Sequence, residues 1–208
     1  VDHLREYGVS VDQVDIDGEF LAMARNRTFF TQFNDGAYEY DRLNTTVGDA
    51  FTHLRHSEEQ YDLVLLDVPG ARSDDSLSLY SREFYSLLRD HLTDRGVVAT
   101  WTYSPYFFAQ HNKAYVNTVR AAGFVHHLEY SVYHDLDGDG YRERGERFYV
   151  LSDGPRPTPD LSRAASPYLN ETAPRYAERT WEWNRFPHYR GVEPNSVFDP
   201  NYDLIVDP

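Results

Sequence analysis

Three aspartates lie at or directly after the ends of predicted strands, where a carboxylate can reach a bound molecule. Asp15 ends the first predicted strand, Asp49 follows the second, and Asp67 ends the third. A carboxylate in such a position can accept hydrogen bonds from both hydroxyls of a ribose (Asp15) or from an exocyclic amine (Asp49), and it can bind a cation or take a proton (Asp67). Because ligands of open α/β sheets bind beyond the carboxyl ends of the strands, we expect the three side chains to form one acidic rim.

Each aspartate also has a purely structural interpretation. Asp15 and Asp49 could cap the helices that follow them, because a short acidic side chain satisfies the free backbone N–H groups of a first turn. Asp67 could pair with a nearby arginine. For Asp49, taken alone, the residues favour the capping role, whereas for Asp15 the ribose and structural roles are evenly matched.

The elements that position these residues alternate between β-rich runs and amphipathic stretches. Strands are predicted over Val11–Asp15, Leu43–Val47, Tyr61–Asp67 and Gly96–Thr102, and helices over Glu19–Arg27, Asp49–Arg55, Ser81–His91 and Ala109–Ala122. The continuous apolar run of the third strand is typical of a parallel strand covered on both faces. The sequence therefore predicts an α/β fold with a mostly parallel sheet and right-handed crossovers.

Two further β-rich runs close this region, and a different composition follows it. Phe124–Tyr133 and Arg147–Ser152 are separated by a polar loop and predict an antiparallel hairpin. Residues 1–153 are therefore predicted to form one domain. Residues 154–208, rich in proline and aromatic side chains, are predicted to form an irregular tail that packs over it through Trp181, Trp183, Phe186 and Tyr189.

The loop of the predicted hairpin carries the ligand spacing of a calcium-binding loop. Its candidate ligands are Asp135, Asp137, Asp139, Tyr141 and Glu146, with glycine at the sixth position. No helical pattern flanks the loop, so a solvated acidic turn is the alternative. Zinc is not supported, because the chain has no cysteine and its histidines form no ligand set.

The charge balance narrows the class of partner. The chain has 208 residues, with 20 basic and 34 acidic side chains and a net charge of −14. Such a surface repels phosphate backbones, which argues against nucleic acid and favours a small cationic molecule. Lysine is almost absent, with Lys113 against 19 arginines, and this composition suggests an acidic protein of a halophilic cytoplasm, where salt screens the repulsion between carboxylates.

Seven short motifs occur in an order and spacing that resemble a known family. They are Val14–Gly18, Asn34–Gly36, Gly48–Ala50, Tyr61–Asp67, Leu79–Tyr85, Gly96–Val98 and Ser104–Tyr106. Together they resemble the spermidine synthases, also called polyamine aminopropyltransferases, and especially the branch that often carries N-terminal transmembrane helices. The resemblance covers roughly residues 11–152.

The resemblance implies a Rossmann-like methyltransferase fold and a transferase of polyamine biosynthesis. Its donor would be decarboxylated S-adenosylmethionine, and its acceptor a diamine such as putrescine. By resemblance, Asp15 binds the ribose of the donor, Ile16 belongs to the same donor site, and Asp49 and Ala50 contact the adenine. Asp67 and Tyr80 lie beside the acceptor amine, and Asp67 is also placed to take its proton.

Two departures from the family pattern keep other functions open. Gly70 stands where the family has a second acid that acts as the general base, and Asp74 or the adjacent Asp75 is the predicted substitute. The family's glycine-rich loop and first strand do not occur after Val1, so we expect them either to lie upstream or to have been lost. The alternatives are a methyltransferase that uses intact S-adenosylmethionine and a catalytically degenerate binding domain. We expect a cytoplasmic protein, at the membrane if an upstream segment anchors it, and a homo-oligomer is compatible with the sequence.

Overall fold

The computed structural model describes residues 2–26, 28–71, 74–105, 107–134, 143–154, 156–158, 160 and 182–205. The chain divides into two compact units. The first contains the described residues up to Ser57, and the second begins at Glu58 and includes the described C-terminal residues from 182 onward.

The first unit is a two-stranded parallel sheet with short helices. Its elements are α1 (Asp2–Arg5), β1 (Val11–Asp15), α2 (Gly18–Asn26), α3 (Thr28–Phe33), β2 (Leu43–Val47) and α4 (Ala50–His56). Strands β1 and β2 run parallel, with Asp15 opposite Val47 at their carboxyl ends. Leu21 and Ala24 form the buried face of α2. The sequence pattern did not predict α3 as a separate helix.

The second unit contains a five-stranded sheet. Its elements are β3 (Tyr61–Leu66), α5 (Asp74–Leu77), α6 (Arg82–Asp90), β4 (Leu92–Thr102), α7 (Ala109–Ala121), β5 (His126–His134), β6 (Glu143–Ser152) and β7 (Trp183–Arg185). The strand order is β3-β4-β6-β5-β7. Strands β3 and β4 are parallel, and the other neighbours are antiparallel. The predicted α/β class and C-terminal hairpin are confirmed.

Strand β4 begins four residues before its predicted start. Leu92 pairs with Tyr61 across the sheet, and the register then shifts so that Leu63 lies opposite Val97. This irregular pairing adds residues that the apolar run from Gly96 onward did not indicate. Helix α6 begins at Arg82, one residue after its predicted start, because Ser81 is the N-cap and its hydroxyl accepts a hydrogen bond from Phe84 N at 3.2 Å.

Tyrosines form much of the core of the second unit. Tyr80, Tyr85 and Tyr115 are each at most 2% exposed. The Tyr85 hydroxyl donates to the Tyr115 hydroxyl at 3.2 Å, and the Tyr115 ring stacks on Tyr149 with centroids 5.9 Å apart. Hydrogen bonds of this kind offset the cost of burying the phenol hydroxyls away from water.

The described part of the C-terminal segment packs closely on the second unit. Trp183 lies in β7, which pairs with β5, and Phe186 stacks on His127 at 3.9 Å. Asn117 of α7 donates to the carbonyl oxygens of Tyr189 at 2.7 Å and Val192 at 2.6 Å. Trp183, Phe186 and Tyr189 thus contact the sheet or α7, whereas Trp181 lies outside the described residues.

Most of the predicted calcium ligands lie outside the described residues. Asp135, Asp137, Asp139 and Tyr141 lie outside the described residues, and Glu146 is described only as part of the backbone of β6. The calcium site therefore stays a prediction. Within the described part of the chain, no helix has both the length and the apolar character that a bilayer crossing requires.

Candidate active site

The carboxyl edge of the first sheet brings Asp15 next to the segment that contains Asp49. Gly48 N donates to the carbonyl oxygen of Asp15 at 2.9 Å, because parallel pairing places the two strand ends side by side. Asp15 Oδ1 accepts from Asp17 N at 2.9 Å. This local bond fixes the Asp15 carboxylate where the chain turns into α2.

Asp49 caps α4, as the residues alone favoured. Its Oδ2 accepts from Thr52 N at 2.7 Å, which satisfies one of the free N–H groups at the helix start. The side chain is nevertheless exposed. Capping thus uses one carboxylate oxygen and leaves the group at the surface, where it can also accept from a ligand.

A cleft of about 350 Å³ opens beside Asp49. It is lined by Thr46, Val47, Gly48, Asp49, Thr52, His53, His56 and Ser57. Val47 offers an apolar surface, with 61% of its area exposed, and a Cβ added at Gly48 would meet nothing within 4 Å. A flat apolar ring with polar edges fits such a cleft, whose volume is at the lower end of ligand pockets. Of the other predicted contacts, Ala50 is the half-buried first residue of α4, and Ile16 is exposed.

In the second unit, Asp67 directly follows β3 and is exposed. Among the residues that the structure describes, its carboxylate forms no salt bridge, so the predicted arginine partner is not found there. An exposed carboxylate at the carboxyl end of a parallel strand remains available to a cation. Asp74 is the first residue of α5, and its predicted role as a proton acceptor stays a prediction.

Tyr80 lies beneath the segment that follows Asp67. Its hydroxyl donates to the carbonyl oxygen of Pro69 at 3.1 Å, and its ring is 2% exposed. Burial, together with the nearby Tyr85, Tyr103 and Asp67, raises the pKa of Tyr80 well above its ordinary value. The phenol is therefore a fixed donor that holds the backbone beside Asp67, and its predicted contact with the acceptor stays a prediction.

His111 is a residue that the sequence analysis missed. Its Nδ1 lies 2.6 Å from the carbonyl oxygen of Leu204, and its Nε2 lies 2.6 Å from Thr102 Oγ1. Since a carbonyl only accepts, Nδ1 carries the proton and Nε2 accepts from the threonine hydroxyl. Burial lowers the pKa of His111, and the bond to Leu204 opposes this effect. No local signal marks this pairing, because Leu204 is 93 residues away.

The structure places the predicted site residues in two groups, one in each unit. Asp15 and Asp49 lie at one edge of the first unit, and Asp67 and Tyr80 lie at the end of β3 in the second. The convergence of all three aspartates on one rim stays a prediction.

The alternation of helices with the parallel strand pairs β1–β2 and β3–β4 places the protein among the α/β proteins of the Rossmann-like class. Two solved structures agree with this fold. A spermidine synthase in complex with the transition state analogue AdoDATO and the spermidine synthase of Thermotoga maritima each have a TM-score of 0.55, with 17% identity, and each covers 90% of this chain. The chain covers 58% and 57% of those structures, and at this identity the likeness concerns the fold.

The particular family follows from the sequence match. Residues 4–134 match the spermine/spermidine synthase domain, and the chain belongs to this family. The resemblance carried by the seven motifs is therefore confirmed. The membrane-associated branch and the adaptation to salt stay predictions.

Curated relatives carry names that agree with this assignment. Polyamine aminopropyltransferase 1 of Streptomyces coelicolor is 35% identical over 123 residues, which cover 59% of this chain and 23% of the relative. The polyamine aminopropyltransferase of Saccharolobus solfataricus is 29% identical over 126 residues, covering 60% of this chain and 41% of the relative. The chain thus spans less than half the length of these relatives.

Proposed function

We propose that this chain is part of an aminopropyltransferase that acts on decarboxylated S-adenosylmethionine and a small diamine such as putrescine. The family and the names of the relatives support this activity. The strongest structural support for this activity is the hydrogen bond from Gly48 N to the Asp15 carbonyl. This bond brings the candidate ribose ligand, Asp15, next to the candidate adenine cleft.

The first unit would hold the nucleoside. Asp15 would accept from the ribose hydroxyls, and Ile16 would contact the same sugar. The adenine ring would lie against Val47 and Gly48, with its exocyclic amine donating to Asp49. An exposed acidic edge also suits a donor that carries a sulfonium and an ammonium charge.

The second unit would hold the acceptor amine at Asp67. The amine nitrogen must be neutral to attack, so a proton is lost before or during bond formation. The nitrogen then forms a bond to the carbon beside the sulfonium, the carbon–sulfur bond breaks, and methylthioadenosine leaves with the bonding electron pair. Asp67 would hold the cation and accept the proton, and alignment of the two substrates would supply much of the acceleration.

The activity can be tested by the release of methylthioadenosine from the protein expressed at its natural length, in molar salt. We expect release with decarboxylated donor and putrescine, and a fall in kcat/KM of about 100-fold or more for Asp67→Asn. The matched control is Asp62→Asn, because Asp62 is an exposed carboxylate near the opposite end of β3, where it accepts from Thr93. This control should keep the activity.

Two outcomes would replace the proposal. Methyl transfer from intact S-adenosylmethionine, with no turnover of the decarboxylated donor, would identify a methyltransferase of the same fold. Absence of turnover with either donor would indicate a binding domain that has lost catalysis.

A further inference from the structure

The side-chain space of Gly70 is occupied by another residue. A Cβ added at Gly70 would lie 2.5 Å from Tyr103 Cζ and 2.8 Å from Cε2, and it would overlap Tyr103 Oη even more closely. Any larger residue at position 70 would therefore displace the tyrosine ring. The phenol oxygen stands where the side chain of residue 70 would begin.

Tyr103 reaches this point because of the parallel pairing of β3 and β4. Leu66, the last residue of β3, pairs with Thr100, and Tyr103 directly follows the end of β4. Asp67 and Tyr103 thus leave neighbouring strands at the same edge of the sheet. The Tyr80 hydroxyl donates to the Pro69 carbonyl, next to the Gly70 backbone on which Tyr103 packs.

The Tyr103 ring is held on several sides. Its centroid lies 5.5 Å from that of Trp101, 5.3 Å from Phe108 and 5.0 Å from His111. His111 is itself fixed by Thr102 and Leu204. The phenol oxygen therefore has a defined position beside the Pro69–Gly70 backbone, which Tyr80 holds from below.

We propose that Tyr103 is an amine-recognition residue, whose phenol oxygen accepts a hydrogen bond from the acceptor amine that Asp67 holds by charge. This inference rests on the proposed function for its substrate class. A phenol oxygen has lone pairs that accept from an ammonium or amine N–H, and the edge of the sheet then offers a carboxylate and a neutral acceptor to one cationic group. Gly70 has a matching role, since its missing side chain makes room for the phenol.

The alternative is that Tyr103 only fills space, and Tyr103→Phe separates the two roles. Phenylalanine keeps the ring and its contacts but removes the oxygen. We expect the Kd for putrescine, measured by calorimetry on the protein at its natural length, to rise about 10- to 100-fold, the range for a lost hydrogen bond to a charged group. The Kd for decarboxylated S-adenosylmethionine should not change.

Tyr149→Phe is the matched control. Tyr149 is also buried in the second unit, and within the part of the chain that the structure describes its hydroxyl accepts a long hydrogen bond, 3.4 Å, from Asn112. This variant should bind putrescine with the same Kd as the wild type. If the loss of any buried hydroxyl weakened binding, the Kd of this variant would rise as well.

The outcomes distinguish this inference from the proposed function. If Tyr103→Phe binds putrescine as tightly as the wild type, or if the wild type binds no diamine, amine recognition by Tyr103 is refuted. If the wild type binds putrescine through Tyr103 but releases no methylthioadenosine, the inference stands and the proposed activity fails.

Discussion

Asn195 offers a stringent test of how the C-terminal segment stabilises the second unit. Its side chain is almost fully buried, its Nδ2 donates to the Leu77 carbonyl at 2.9 Å, and its Oδ1 accepts from Asn201 N at 2.9 Å. Asn195→Ala removes both bonds and leaves the Leu77 carbonyl, in a buried residue, without this donor. Each lost bond should lower the free energy of unfolding by about 1 kcal/mol, or by up to about 3 kcal/mol where a buried partner is left unpaired. The total decrease is therefore about 2–4 kcal/mol.

The free energy of unfolding can be measured by urea denaturation and the midpoint by calorimetry. For a unit of this size the loss corresponds to a decrease of about 6–15 °C in the unfolding temperature. The control is Asn184→Ala, since Asn184 belongs to the same segment but is exposed, and its replacement should cost no more than about 0.5 kcal/mol. Equal stability of the two variants would refute the idea that Asn195 anchors the segment.

Two further predictions concern Ser81 and His111. Ser81→Ala removes the acceptor of Phe84 N at the start of α6 and the donor to the Ser78 carbonyl oxygen. It should lower the free energy of unfolding by about 1–2 kcal/mol in urea titrations, and an unchanged midpoint would contradict the capping role. Burial lowers the pKa of His111 in the folded protein. As the pH is lowered, His111 therefore takes up a proton at a higher pH in the unfolded chain than in the folded one. The free energy of unfolding should consequently fall as the pH drops below about 6.5. His111→Asn should flatten this profile between about pH 8 and 5, and equal slopes for wild type and variant would contradict it.

Features encoded by neighbouring residues were predictable from the sequence. The strand predicted from the apolar run at Tyr61–Asp67 and the helix cap formed by Asp49 are both observed. The predicted covering of both faces of β3 is wrong for the described residues, because Leu63 and Leu65 are exposed. The placement of Asp15 beside Gly48 was also predictable, because it follows from the rule that parallel strands end at one edge.

Features that depend on distant pairing were not predictable. Tyr103 reaches Gly70 only through the register of β3 and β4, which includes a shift near Tyr61. Asn195 bonds to Leu77 across 118 positions. Glycine at position 70 was therefore interpreted from the sequence as the loss of an acid, whereas the folded chain shows a tyrosine in the same space.

The attachment of the C-terminal segment has a practical consequence for protein engineering. The family match ends at residue 134, yet the backbone of Tyr189, Asn195 and Leu204 supplies polar partners for α7. A truncation designed from homology alone would strip these partners away and expose the aromatic surface beneath them. Variants made for expression should therefore keep the residues up to Leu204, because shorter ones would expose these aromatic side chains and aggregate.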